Sequence, residues 1–230
     1  MAGRVATRSL ADIAAAAAQV FTQRGYRETG ISDVSKALGL SHGALYTYVQ
    51  SKEALLYVAL AWAIGPELLD GLDTPVRLSS EDEIVALARR WTEAEGFPKL
   101  AAATARRQVR SVREEFGEIV DELYAFIEGN RDVLALVAQC ARELPEMFQF
   151  WFVQRRRGHF DALSAYLRKR IRSGHLRDVP DVPTAARFIA ETVAWFAWHR
   201  LGDPDSAMLT DDQCRATVHH LLTSAFLEDS

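Results

Sequence analysis

Apolar side chains recur at helical spacing along almost the whole chain. Near the N-terminus, Leu10, Ile13, Ala17 and Phe21 fall on one face of a predicted helix. No segment alternates apolar and polar residues, with enrichment in β-branched side chains, over the length of a strand. The pattern therefore predicts an all-α protein of about nine or ten helices.

Glycine, proline and capping residues mark the ends of these predicted helices. Gly25 is placed to stop the first helix, and Gly39 to stop a short second helix over 31–38. A third helix over about 42–48 follows Ser41, its predicted N-cap. The remaining helices are predicted from Lys52 to a break at Gly65–Pro66, from a capping box of Ser80 and Glu83 to Gly96, and over 99–127, 132–143, 146–173, 184–201 and 211–227.

A long helix followed by two short helices and a tight glycine turn is typical of a three-helix helix-turn-helix domain, which lays one helix in the major groove of DNA. The apolar residues available to pack beneath that helix are Ile31, Val34, Leu38, Leu40, Leu45 and Val49. The residues left to face outward are Ser41, His42, Gly43, Tyr46, Thr47 and Tyr48. Hydroxyls and backbone amides suit phosphates, whereas His42 and Thr47 are placed to reach base edges. Lys52 adds a cation at the start of the next helix.

The charge distribution agrees with a DNA contact near the N-terminus. The 230-residue chain has a net charge of −4, and its 49% hydrophobic and 25% charged residues are ordinary for a folded protein. Residues 1–55 carry six basic and four acidic side chains, which leaves the acidic excess in the rest of the chain.

Cysteine usage and hydropathy exclude several classes of protein. Cys140 and Cys214 lie far apart and form neither a disulfide framework nor a zinc-binding spacing. The sequence has no signal-peptide pattern and no apolar run of about 18 residues. We therefore expect a cytoplasmic protein without a metal, a cofactor or a membrane segment.

The segment over residues 25–55 resembles the DNA-binding signature of the TetR family of bacterial repressors. The matching positions are Gly25, Tyr26, Thr29, Val34, Gly39, Leu40, Ser41, Gly43, Leu45, Tyr46, Tyr48, Ser51, Lys52 and Glu53. Gly30, Ser35 and Val49 depart from the family pattern, which usually has Thr or Ser, Ala and Phe at these positions.

This resemblance implies a DNA-binding domain over residues 1–55 and a larger helical domain for effector binding and dimerisation over 56–230. It implies a homodimer that represses transcription from a palindromic operator in double-stranded DNA and is released by a small apolar or aromatic effector. It also adds Thr29 to the expected DNA contacts. Arg4 and Arg8 resemble the basic arms that enter a minor groove, although a solvated tail would carry the same residues.

The apolar residues of the larger domain have two candidate uses. Residues 188–198 are apolar nearly all round, so their helix needs burial on two sides, and a two-fold partner would supply the second side. The residues predicted at this dimer interface are Phe188, Thr192, Phe196, His199 and His220. An aromatic effector pocket is predicted from Trp62, Trp91, Trp151, Phe152 and Trp195, for which burial in the core is the alternative.

Two other classes of protein are open to this sequence. Residues 39–43 have the G-x-S-x-G pattern of a serine hydrolase, which would make Ser41 a nucleophile. That motif must lie between a strand and a helix, whereas the residues before it have helical periodicity. An all-helical interaction module that does not bind DNA would explain the helices but not the outward array of Tyr46, Thr47, Tyr48 and Lys52. The sequence favours a non-enzymatic, DNA-binding regulator.

Overall fold

Twelve α-helices make up most of residues 8–227, the part of the chain that the computed structural model describes. They are α1 (Leu10–Glu28), α2 (Ile31–Leu38), α3 (His42–Leu45), α4 (Lys52–Ile64), α5 (Asp82–Ala94), α6 (Pro98–Ala105), α7 (Val112–Gly129), α8 (Arg131–Cys140), α9 (Pro145–Phe148), α10 (Arg157–Arg172), α11 (Val182–Ala197) and α12 (Asp211–Phe226). A π-helical segment, Gln149–Arg156, joins α9 to α10, so the helix predicted over 146–173 is three consecutive segments. Within residues 8–227, β structure is limited to one bridge between Val49 and Val76, and the predicted all-α fold is confirmed.

The first predicted helices begin and end close to where the sequence places them. Ser9 Oγ accepts a hydrogen bond from the Asp12 amide (3.1 Å), and the Asp12 carboxylate accepts one from the Ser9 amide (2.9 Å). This reciprocal capping box starts α1. α2 spans the predicted residues, and α4 begins at Lys52 and ends before Gly65.

The prediction of one helix over 99–127 is wrong, because the structure divides it into α6 and α7. Neither glycine nor proline marks the break. Instead, Arg170 of α10 donates to the carbonyl of Ala103 (2.9 Å), and Lys169 Nζ donates to that of Thr104 (2.6 Å). Cations from another helix thus occupy carbonyl groups that a continuing α6 would use for its own hydrogen bonds.

Two further predictions differ in detail. The third helix was expected over 42–48 but ends at Leu45, after which the amides of Thr47 and Tyr48 donate to carbonyls three residues back. At the start of α5, the Glu83 carboxylate accepts from the amide (2.6 Å) and the hydroxyl (2.5 Å) of Ser79, which replaces the predicted cap at Ser80.

The described chain falls into two compact units. The first contains the residues up to 94 together with 132–153, and the second contains 95–131 together with the residues from 154 onward. The predicted boundary between the DNA-binding domain and the effector-binding domain, after residue 55, falls inside α4. This assignment of functions to the two parts of the chain stays a prediction. Among the described helices, none combines the length and the apolar character that crossing a membrane requires.

In the first unit, α4 packs against α1 and α5. The side chains of Leu55, Val58 and Ala59 on α4 are fully buried, as are Ile13 and Phe21 on α1. Burial of each large apolar side chain contributes about 1.5–3 kcal/mol to folding. α2 packs on α1, and α3 packs on α2, so the short helices are supported by this apolar layer.

In the second unit, a buried ion pair joins α7 to α10. Arg170 is 1% exposed, and its Nε and Nη2 atoms donate to the two carboxylate oxygens of Glu115 at 2.7 and 3.1 Å. Phe116 and Tyr166, which neighbour the pair, are also fully buried. Because both charges are removed from water, each is tolerated only while its partner is present.

We expect Arg170→Met to lower the free energy of unfolding by about 3–5 kcal/mol, because buried Glu115 then keeps only its longer contact (3.4 Å) to the exposed Arg106. The double variant Arg170→Met with Glu115→Leu should recover most of this loss, since neither charge remains. Urea denaturation of the two variants and the wild type measures both effects. A double variant no more stable than Arg170→Met would contradict this account of the pair.

The ring nitrogens of His159 on α10 are also buried in the second unit. The ring lies 4.4 Å from that of Phe97, centroid to centroid, and neither nitrogen has a hydrogen-bond partner among residues 8–227. Burial, together with the charge of Arg155, lowers the pKa of His159 to about 4. The imidazole is therefore neutral at pH 7.

We expect the wild type to lose stability as the pH falls, and His159→Phe to remove part of that loss. The unfolded chain takes up the proton near pH 6.5 and the folded chain only near pH 4, so protonation favours the unfolded state between these values. From pH 7 to pH 5 the wild type should lose about 2 kcal/mol more than His159→Phe in urea denaturation. The control His175→Phe, at an exposed histidine, should keep the wild-type pH dependence.

Candidate DNA-binding site

The turn between α2 and α3 depends on Gly39. Its backbone is left-handed, with φ +66°, and its amide donates to the Lys36 carbonyl (3.1 Å) while the Leu40 amide donates to that of Ser35 (2.8 Å). These two bonds satisfy the last carbonyl groups of α2. A left-handed residue with a side chain would be strained, so glycine suits this corner.

α3 is a single turn with an inner and an outer side. Ser41 caps it, with Oγ accepting from the Ala44 amide (3.2 Å), and Leu45 and Val49 are fully buried. The residues exposed on its outer side are Ser41, His42, Gly43, Tyr46 and Thr47. The rings of His42 and Tyr46 meet edge to face at 5.3 Å. The structure therefore brings five of the ten predicted DNA-binding residues onto the exposed side of α3.

Gly43 has no internal role that a larger residue would disturb. A Cβ atom added there would meet nothing within 4 Å in the protein. Glycine nonetheless costs a helix about 1 kcal/mol relative to alanine. The open space at this position allows an outside partner to approach the backbone of α3 closely.

Tyr48 and Arg8 hold the start of α1 against the helix-turn-helix. The Tyr48 hydroxyl donates to the Arg8 carbonyl (2.8 Å), and Arg8 Nη2 donates to the Leu38 carbonyl (3.3 Å). Both residues were predicted to contact DNA, and both are engaged in intramolecular bonds in this structure. Arg4, predicted with Arg8 as part of an N-terminal arm, lies outside the described residues.

Lys52 belongs to a cluster that ties the end of α1 to the start of α4. Its ammonium lies 4.4 Å from the centre of the Tyr26 ring and donates to the Arg27 carbonyl (3.2 Å). The Tyr26 hydroxyl donates to Glu53 (2.7 Å), and burial, followed by this bond, raises the pKa of Tyr26. The sequence places Lys52 here as a cation for phosphate, but its role as an internal tie was not predicted.

The prediction that Thr29 contacts DNA needs correction. Thr29 is 1% exposed, and its hydroxyl donates to the Gly25 carbonyl (2.7 Å), so the side chain has no access to a phosphate. Gly30 lacks a hydroxyl cap, as the sequence indicates, but its amide donates to the Asp33 carboxylate (2.8 Å) instead.

A carboxylate remote in the sequence completes the corner between α1 and α2. Glu143 accepts a hydrogen bond of 2.5 Å from the Arg27 amide, across 116 positions in the chain. It also lies over Gly25, whose φ is +83° and whose added Cβ atom would come within 2.9 Å of the carboxylate. Sequence reasoning missed Glu143, because no local pattern connects it to this corner.

The surroundings of Ser41 differ from those of a hydrolase nucleophile. Its oxygen caps α3, and the residues before it form α2 and the Gly39 turn rather than a strand. No cluster of three or more potential metal ligands is found among the described residues. The chemistry of this face is that of hydroxyl, imidazole and backbone groups turned outward.

The predicted effector-pocket residues are divided between the two units. Trp91 and Trp151 are buried in the first unit, where their rings stack at 5.9 Å, and Phe152 packs on Phe148. Trp62 is half-buried on α4. Trp195 lies in the second unit with an exposed ring, so it is not part of the Trp91–Trp151 stack.

Four of the predicted dimer-interface residues lie on α11 or in the 3-10 turn that follows it, and the fifth, His220, lies on α12. Phe188 is exposed, Thr192 and Phe196 are half-buried, and His199 and His220 are exposed. Other large apolar side chains exposed in the second unit are Trp195, Leu201, Met208 and Leu221. Exposed large apolar side chains in this number are typical of a surface that another molecule covers.

Comparisons with known proteins point to the same site. Residues 13–58 match the model of the family described as bacterial regulatory proteins, tetR family. The HTH-type transcriptional repressor KstR2 of Rhodococcus jostii is 28% identical over 189 residues, which cover 81% of this chain and 77% of that protein.

Solved structures share the fold over nearly the whole chain. The ketosteroid transcriptional regulator KstR2 of Mycobacterium tuberculosis gives a TM-score of 0.61 at 19% identity, covering 98% of this chain and 100% of that one. A transcriptional regulator from Saccharomonospora viridis in complex with choline gives 0.55 at 15% identity, covering 96% and 98%. The N-terminal segment of this chain thus matches the DNA-binding model of the tetR family, and with its outward α3 the chain is a DNA-binding transcriptional regulator.

Proposed function

We propose that this protein is a cytoplasmic, homodimeric repressor that binds a palindromic operator through α3 and is released by a small apolar or aromatic effector. The observation that carries the proposal is the exposed outer face of α3, where Gly43 leaves the backbone open and no acidic residue occurs between Asp33 and Glu53. A major groove accepts a helix of this kind, with its N-terminal residues toward the bases.

The proposed DNA contacts fall into two groups. His42, Tyr46 and Thr47 are exposed and are assigned to base edges and phosphates, with Ser41 and the Gly43 backbone beside them. We assign the remaining contacts, to phosphates, to Tyr48, Lys52 and Arg8. Each of these side chains forms an intramolecular hydrogen bond in this structure, and it has to give up that bond or share it when it binds a phosphate. Contacts of this second group fix the position of the protein along the DNA and contribute little to sequence preference.

The dimer is proposed from the uncovered apolar side of the second unit. Phe188, Thr192 and Trp195 are spaced by four and three residues, so they lie along one side of α11. A two-fold partner that pairs α11 and α12 with their copies would cover this side in a four-helix bundle. We place Trp195 in this interface rather than in the effector pocket. Two copies of α3 then meet half-sites about one helical turn apart, or a multiple of it.

The effector is proposed to act near the aromatic core of the first unit. Between α5 and α9 lies an apolar cavity of about 10 Å³, lined by Tyr26, Ile84, Val85, Leu144 and Met147, with Glu81 and Glu146 beside them. It has room for about one water, so an effector entering here has to separate packed side chains. Tyr26 also bonds Glu53 at the start of α4, so such a movement would reach the DNA-binding elements.

Release follows if the effector binds better to one of two conformations. The favoured conformation is the one in which the two α3 helices of the dimer have the wrong separation for the operator. Other regulators of this fold support the general scheme, since one was solved in complex with choline and another is named a ketosteroid regulator.

We expect Tyr46→Ala to weaken operator binding about tenfold or more, because a contact to the DNA is lost. The operator is first selected from random duplexes with the wild-type protein, and affinity is measured by fluorescence anisotropy at two salt concentrations. Leu68→Ala is the matched control, since Leu68 and Tyr46 are both 41% exposed and Leu68 lies outside the helix-turn-helix. Failure to select any duplex, or equal losses in both variants, would contradict the proposal.

We expect Phe188→Glu to dissociate the dimer, because a carboxylate would be buried in the interface without a partner. Phe188 is 56% exposed in the single chain. Sedimentation equilibrium should give a monomer for this variant and a dimer for Ala165→Glu, a control at an exposed position of α10. The monomer should also lose its preference for two half-sites over one. If the Phe188→Glu protein is still a dimer, the interface does not include this side of α11 and the proposed location is wrong.

A further inference from the structure

The loop before α5 is bonded to the residues that follow α3. The Val76 amide donates to the Tyr48 carbonyl (2.7 Å), and the Gln50 amide donates to the Val76 carbonyl (3.0 Å). These two bonds form the parallel bridge between Val49 and Val76. The loop is thus fixed to the helix-turn-helix by its backbone, although it lies more than twenty residues further along the chain.

The register of this bridge determines where the next residue of the loop lies. Val49 and Val76 are opposite each other, and both are buried. The two segments run parallel at this bridge, so the residues that follow the paired valines, Gln50 and Arg77, are neighbours. Both are exposed. Arg77 is therefore placed beside the end of the DNA-binding element.

The charge of Arg77 is unusual for its surroundings. It is the one basic residue between positions 65 and 83, a segment with six acidic residues. Asp73 and Glu81, the nearest of these in sequence, are each four positions away. Within the described residues no carboxylate lies in salt-bridge range of Arg77, so its guanidinium is available to an outside anion.

We propose that Arg77 binds a backbone phosphate of the operator, and so extends the DNA-binding surface to a loop outside the helix-turn-helix. The inference rests on the proposed function, because it takes α3 to lie in the major groove. A guanidinium presents parallel N–H groups that match phosphate oxygens. The two backbone bonds already hold the loop in place in the free protein. Binding DNA therefore costs little additional conformational entropy in this loop. The contact is to phosphate and carries no sequence preference.

The test compares Arg77→Gln, Arg77→Lys and the wild type on the selected operator and on an unrelated duplex, by anisotropy from about 50 to 300 mM salt. Arg77→Gln should weaken binding about three- to thirtyfold on both duplexes. The slope of log K against log salt should become shallower by about two, because each protomer loses one phosphate contact. Arg77→Lys should keep the wild-type slope, since it retains the charge.

Arg90→Gln is the matched control, because Arg90 is an exposed arginine of the same unit on α5. It should bind like the wild type at every salt concentration. An unchanged slope in Arg77→Gln, or a loss confined to the operator, would overturn the phosphate contact while leaving operator binding by α3 intact. Absence of wild-type binding to any duplex would instead contradict the proposed function.

Discussion

The burial of Leu45 and Val49 determines whether this protein can present a helix to DNA. α3 has four residues, far fewer than the ~12–15 that an isolated helix needs to be even marginally stable in water. Its position therefore comes from the two fully buried side chains on its inner side and from the α2, α1 and α4 layer beneath them. This packing therefore determines which way the exposed side chains of α3 point.

Around this core, several polar side chains form internal hydrogen bonds, and two of them, Lys52 and Tyr48, also suit an anion. Lys52 bonds the last turn of α1, Tyr48 bonds the chain before α1, and Asp33 replaces the missing cap at Gly30. Such ties reduce the conformational freedom that the protein has to lose on binding DNA. They also mean that substituting one of these residues changes both the shape of the site and its contacts, whereas Tyr46 and Arg77 project from a frame that does not depend on them.

Local sequence signals predicted the fold and the centre of the site. Capping at Ser9, the left-handed Gly39 and the alternation of buried and exposed residues around α3 all depend on neighbours within a few positions. The break after α6 was missed because it depends on a distant part of the chain, Arg170 and Lys169 of α10. The bond from Thr29 to the Gly25 carbonyl was missed although it is only four residues long, because Gly25 departs from helical geometry. Helical periodicity contains no information about either.

The pairing of Glu143 with the corner between α1 and α2 has a consequence for how the protein is made. The hydrogen bond to the Arg27 amide spans 116 positions, so the ribosome releases the entire helix-turn-helix well before the carboxylate that completes it. At ordinary rates of synthesis this interval lasts for several seconds. The nascent DNA-binding segment therefore lacks this hydrogen bond until the turn after α8, which contains Glu143, has emerged. A gene fragment that encodes the N-terminal helices alone would never supply the missing partner.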